Sequence, residues 1–219
     1  MNKQAPIQRL LGIMARLRGP KGCPWDREQD HRSLRWHAVE EAYELMDAIE
    51  AGDDHEMLEE LGDLLLQVVF HAQLAKERGV FDFEKIARTM SEKLLRRHPH
   101  VFGDSDAKTV DAVWAQWDKI KKEEKQGTHR ERTSAFDGVP KHLPALMRAE
   151  KLVKKARKAK VLDAKTIPAL SEKKLGEELF RLAEYAQSKG WSAEDLLRGE
   201  LNKREKQWRK AERQKKEPV

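Results

Sequence analysis

Two long amphipathic stretches, Ser33–Glu50 and His55–Arg78, flank one short turn, Gly52-Asp53-Asp54, and this arrangement constrains the fold more than any other feature of the 219-residue chain. Val39, Ala42, Met46 and Ile49 recur at helical spacing in the first stretch. Met57, Leu61, Leu64, Leu65, Val68 and Ala72 do so in the second. Apolar residues at that period, joined by a tight turn, predict an antiparallel helical hairpin. Ser33 is the expected N-cap of the first helix, and Gly79 stops the second. No period-two alternation persists anywhere, so the chain is expected to be all-α.

The same reasoning extends along the sequence. Pro6–Leu17 reads as a helix with Leu10, Leu11, Met14 and Leu17 on one side, and the run Gly19–Pro24 breaks it. Asp82 caps a helix carrying Phe83, Ile86, Met90 and Leu94, and His98-Pro99-His100 ends it. A fifth helix covers about 110–124. Residues 126–140 are polar and irregular and read as a linker. Helices are then expected over 143–160, 172–187 and 193–216. This divides the chain into a helical domain at 1–125 and a shorter helical region at 141–219.

Composition excludes several classes. No apolar run approaches 18 residues, so no membrane span is expected. The N-terminal segment has no apolar core of a secretory signal. The single cysteine, Cys23, has no internal partner, as in a reducing, cytoplasmic setting. The net charge of +6 is concentrated in Lys151–Lys160 and in the tail from Lys203 to Lys216. Such basic runs suit nucleic acid or small phosphates, and nucleic acid is not the favoured partner, because a solvated basic helix face explains each run taken alone.

The acidic stretch carries the chemistry. Glu41 and Glu44 share a face of the first hairpin helix, and Glu60 and Asp63 share a face of the second. Glu44 and Glu60 each lie eight residues from Gly52; Glu41 and Asp63 each lie eleven. At 1.5 Å per residue both pairs sit roughly 12–16 Å from the turn, on facing helices. Gly62, between the second pair, is expected to let the helices approach closely. Clustered carboxylates repel one another, so either some protonate or a cation neutralises them. Oxygen-only ligands suit Mg²⁺ or Mn²⁺. Iron is disfavoured, since the only Glu-x-x-His, Glu28–His31, lies outside the hairpin. The alternative is a solvated acidic face paired with Lys or Arg, although the local stretch offers almost none. Hard cations bring phosphates with them, and Lys93, Arg97 and Lys121 are candidate phosphate contacts. Trp117 is a candidate stacking platform, although its place on the apolar stripe favours a core residue on pattern alone.

Four motifs in order, Gly22-Cys23-Pro24-Trp25-Asp26-Arg27-Glu28-Gln29, Glu40-Glu41-Ala42-Tyr43-Glu44, Glu60-Leu61-Gly62-Asp63-Leu64-Leu65 and Arg96-Arg97-His98-Pro99-His100-Val101-Phe102, closely resemble the MazG nucleoside triphosphate pyrophosphohydrolases. The resemblance is strong over about 6–125 and weak over 138–216. It implies an all-α, four-helix-bundle type fold, a homodimer, and Mg²⁺-dependent hydrolysis of nucleoside triphosphates to monophosphate and pyrophosphate, as in house-cleaning of nucleotide pools. It implies that Glu41, Glu44, Glu60 and Asp63 ligate the metal, that Lys93, Arg97, Trp117 and Lys121 contact substrate, and that Trp25 shapes the pocket or the dimer. Glu41 or the adjacent Glu40 is then a candidate to orient or deprotonate the attacking water. The alternatives are a related pyrophosphohydrolase acting on dUTP or phosphoribosyl-ATP, and a non-catalytic helical scaffold that binds nucleic acid.

Long members of that family repeat the metal motif. Here Leu175-Gly176-Glu177-Glu178-Leu179 echoes Leu61-Gly62-Asp63-Leu64-Leu65, but Lys174 stands where the first copy has Glu60. A lysine ammonium donates and cannot ligate a cation. The helix that would supply the first Glu-x-x-Glu is missing between Val161 and Ser171. The second half is therefore expected to be a degenerate copy without a metal site.

Overall fold

The computed structural model describes residues 4–128, 131–162 and 170–216, and those residues form helices, turns and loops without a strand. The stretch between Val161 and Ser171 falls largely outside them. No described helix is long and apolar enough to cross a membrane. The chain divides into two compact units, Met1–Val113 and Trp114–Val219.

In the first unit, α1 (Pro6–Leu17), α3 (His37–Ala51), α4 (Asp54–Glu77) and α5 (Phe83–Arg97) are the main helices, with one-turn helices α2 (Pro24–Glu28) and α6 (Pro99–Phe102) between them. The turn behaves as its residues dictate. Gly52 adopts φ 68°, which a Cβ would disfavour. Asp53 Oδ1 accepts the N–H of His55 at 2.9 Å and of Glu56 at 3.2 Å, capping α4. Asp82 caps α5 through the N–H of Lys85 at 2.9 Å. α4 is central and packs against α3, α1 and α5, with α3 its most extensive partner.

Several expectations need correction. Ser33 does not cap α3, which begins at His37 after Trp36. Its hydroxyl instead accepts from Asp30 N at 2.9 Å, and Asp30 Oδ1 accepts from Arg32 N and Ser33 N. The Asp30 turn competes for the serine and delays the helix. Gly62 does not mediate close helix approach, because a Cβ there would meet nothing within 4 Å. Gly22 does have a steric role, since its Cβ would fall 1.9 Å from the Leu17 carbonyl.

The apolar stripes divide differently from their periodicity. The core joins Met14, Leu34, Val69, Phe70 and Leu74. It therefore anchors α1 on the C-terminal half of α4, each fully buried side chain contributing about 1.5–3 kcal/mol. Only Ala48 of α3 is buried. Met46, Ile49 and Leu61 stay about half exposed, with Val39, Leu65 and Val68 close behind. Inward-facing by period, these side chains are only partly covered among the described residues.

Arg18 ties the ends of α1, α2 and α4 together. Its Nε and Nη2 donate to Glu77 at 2.8 Å each, and Nη1 donates to the Gln29 carbonyl at 3.2 Å and to the Asp26 carbonyl. The guanidinium is buried while Glu77 is one-third exposed. The Arg18 hydrogen bonds hold the Glu77 carboxyl below its ordinary value. A depressed carboxyl contributes stability that is complete above its unfolded pKa and lost as pH falls through the folded one. Arg18→Ala is therefore expected to lose about 1–3 kcal/mol at pH 7. The deficit should narrow toward pH 3, keeping only the share carried by the two carbonyls. Urea unfolding of both proteins at the two pH values measures this; a deficit independent of pH would remove Glu77 from the account.

The second unit packs α8 (Ala145–Lys158) against α10 (Ala193–Lys216), with α9 (Glu172–Ser188) on α10; the unit boundary falls inside α7 (Val110–Glu123). Its core contains Phe136, Leu152, Leu201 and Trp208, and the Phe136 and Trp208 rings stack at 5.9 Å. Phe136, from the polar stretch 126–140, is thus a core residue of this unit. Arg148 is buried and donates to Asn202 at 3.0 Å and Glu205 at 2.6 Å.

Candidate active site

The hairpin carries the acidic residues to one place. Glu41 on α3 and Glu60 and Asp63 on α4 each present a carboxylate oxygen, and the three oxygens lie within 4.8 Å of one another. All three residues are partly buried; Glu44 is exposed and outside this group. Its charge still reaches the cluster. Burial raises the Glu41 carboxyl above its ordinary value, and Asp63 and Glu44 raise it further. Glu60 is raised by desolvation and then by Glu44, Asp63 and Glu41. None of the four forms an ion pair among the described residues.

Gln67 is the residue that sequence reasoning missed. It is buried one turn beyond Asp63, and its Nε2 donates to Glu41 Oε1 at 3.4 Å. Its own Oε1 is buried without a hydrogen-bond partner among the described residues. Spacing of four from Asp63 was the available signal, since it places Gln67 on the carboxylate face. A hard-oxygen set, mutually repelling, with a buried amide oxygen left over beside it, has the donor chemistry of a divalent-cation site.

The other candidates are placed as follows. Glu40 is exposed and pairs with His37, Oε2 to Nδ1 at 3.5 Å. Lys93 and Arg97 lie on α5, both partly buried. Trp25, on α2, is about half exposed and sets its ring edge-on to Phe70 and His37 at 6.5 and 6.3 Å. Trp117 and Lys121 belong to the second unit; the Lys121 ammonium lies 5.3 Å from the centre of the Trp117 ring. The Trp-x-x-x-Lys spacing thus builds a cation–π pair within α7.

Comparison with known proteins gives the arrangement its context. Residues 29–102 match the MazG nucleotide pyrophosphohydrolase domain. A nucleoside triphosphate pyrophosphohydrolase of Escherichia coli K12 is 41% identical over 236 residues, covering 94% of this chain and 87% of its own length. The chain belongs to the MazG family. Other members of the family are similarly close. A Thermotoga maritima protein named nucleoside triphosphate pyrophosphohydrolase/pyrophosphatase MazG is 45% identical over 184 residues, 83% of this chain and 69% of its own. A Mycolicibacterium smegmatis nucleoside triphosphate pyrophosphohydrolase is 40% identical over 169 residues, 75% of this chain and half of its own. MazG-family enzymes are hydrolases of phosphoanhydride bonds. The match to the family domain ends before the second unit, and it contains Glu41, Glu44, Glu60 and Asp63.

Proposed function

We propose that this chain hydrolyses nucleoside triphosphates to nucleoside monophosphate and pyrophosphate with Mg²⁺ held by Glu41, Glu44, Glu60 and Asp63, Mn²⁺ being the natural substitute. The observation that carries the reading is the convergence of Glu41, Glu60 and Asp63 within 4.8 Å, with no ion pair to any of the three among the described residues. Bound there, the divalent cation supplies neutralisation of the phosphate oxygens and activation of the attacking water. The chain's own groups do the rest. Gln67 fixes the Glu41 carboxylate through its amide. Glu41 or the adjacent Glu40 is the candidate to orient or deprotonate the attacking water. Lys93 and Arg97 are assigned to the phosphate chain; Trp25, Trp117 and Lys121 are assigned to substrate on the family resemblance. Glu40, tied to His37, is the weaker candidate for the water.

A homodimer completes the reading. The half-exposed Met46, Ile49 and Leu61 form an apolar surface on the hairpin that holds the site, and a second copy of the hairpin is its proposed cover.

The test is pyrophosphate and orthophosphate release from a panel of nucleoside and deoxynucleoside triphosphates, dUTP and phosphoribosyl-ATP, with Mg²⁺ and with EDTA. Mg²⁺-dependent pyrophosphate release is expected. Orthophosphate alone would move the attack to a terminal phosphate, and no release from any substrate would overturn the reading.

A further inference from the structure

The basic run Lys151–Lys160 has no role in the hairpin chemistry, and the second unit shows what it builds. Lys155 and Lys158 on α8, Lys215 on α10, Lys122 on α7 and Arg132 line a cavity of about 570 Å³, in which Glu212 is the single carboxylate. Residues ninety positions apart thus set five cations against one acid around one concave surface.

That acid is already engaged. Glu212 is buried; its Oε2 accepts from Ser134 Oγ at 2.6 Å and its Oε1 from Ala135 N at 2.9 Å, which fixes the wall of the cavity. Two of the ammonium groups rest on backbone oxygens. Lys155 Nζ donates to the Ala135 carbonyl, and Lys215 Nζ to the Lys160 carbonyl, both at 2.6 Å. A carbonyl takes one donor and leaves the charge uncompensated. Lys158 has an acidic neighbour, Asp118, at 3.4 Å in an exposed pair worth little. Desolvation, Arg132 and Lys158 together push the Lys155 ammonium below its ordinary value, against some support from Asp137. Asp137 is itself committed to Arg209 at 2.6 Å.

We infer that this cavity of the second unit is a binding site for a small polyphosphate anion, separate from the carboxylate cluster of the hairpin. Concavity distinguishes it from a nucleic-acid surface: five cationic residues line a space of small-ligand size instead of tracking along a face. A phosphate chain offers several oxygens to several donors at once, and so suits a cavity lined by five cationic residues better than a single isolated anion does. The shared chemistry is the phosphate chain, whether inorganic or on a nucleoside.

The test is titration calorimetry of the full chain with sodium tripolyphosphate and with ATP, in EDTA, where the acidic cluster has no cation to hold phosphate. Binding is expected. The double variant Lys158→Ala/Lys215→Ala, both exposed positions, should weaken it by about tenfold or more. The control Lys173→Ala/Lys174→Ala removes the same charge from exposed positions on α9 and should leave binding within about twofold. Lys155→Met should weaken binding as well. Tighter binding of ATP would assign a nucleoside polyphosphate, and equal binding an inorganic chain. No binding by the wild type, or equal losses in the cavity and control variants, would overturn the inference. Duplex DNA binding that depends on the cavity lysines without tripolyphosphate binding would overturn it too, and would make this face a nucleic-acid surface.

Discussion

Glu60→Gln is expected to lower Mg²⁺-dependent pyrophosphate release about a thousandfold or more, the rate equivalent of the several kcal/mol that a metal contributes to charge stabilisation. The amide keeps the shape of the side chain and removes one negative charge from the ligand set. The same change should raise the melting temperature in EDTA. Glu60 is raised by desolvation and by Glu44, Asp63 and Glu41, so the metal-free protein holds its ionised form at a cost. Removing that charge relieves the repulsions from Glu44, Asp63, Glu41 and Glu59 together. Mg²⁺ should then raise the melting temperature of the wild type and have little effect on the variant. Activity lost while stability is gained distinguishes a site residue from a structural one. Pyrophosphate release near the wild-type rate, or a variant less stable than wild type in EDTA, would break the assignment.

Met46→Glu is expected to keep the proposed homodimer apart as a single chain of 25.4 kDa. Met46 is about half exposed on α3, so glutamate there leaves the fold of one chain almost untouched. In an interface the same carboxylate is desolvated without a partner, at a cost of several kcal/mol. Light scattering coupled to size exclusion reads the mass, and far-UV circular dichroism checks that the helices persist. A wild type that is already monomeric, or a variant that stays dimeric, would remove the hairpin surface from the interface.

The sequence by itself determined the long helices, apart from the start of α3. Gly52, Asp53 and Asp82 place ends that local backbone chemistry enforces, and α1, α4 and α5 begin and end within a residue or two of where caps and breakers put them. Equal spacing from Gly52 levels Glu41 with Asp63, because an antiparallel hairpin converts sequence distance into height along the axis, and Glu60 lies one helical turn from Asp63 on the same face. Family motifs supplied the reaction, which spacing alone does not contain.

Tertiary structure decided what periodicity cannot. A 3.6-residue period marks an apolar face without saying what covers it. Met46 and Leu61 are therefore exposed in one chain, while Val69 and Phe70 are buried against α1. Register levels the Cα atoms, but side-chain torsions place the carboxylates; Glu44 acts on the cluster by charge from outside the close group. Gln67 joined the site through packing that gives a neutral amide no charge signature in the sequence. Phe136 became a core residue because one aromatic ring found Trp208 across a polar stretch. The cationic cavity exists only where α7, α8 and α10 bring distant lysines together, since charge density on a line of sequence is silent about concavity.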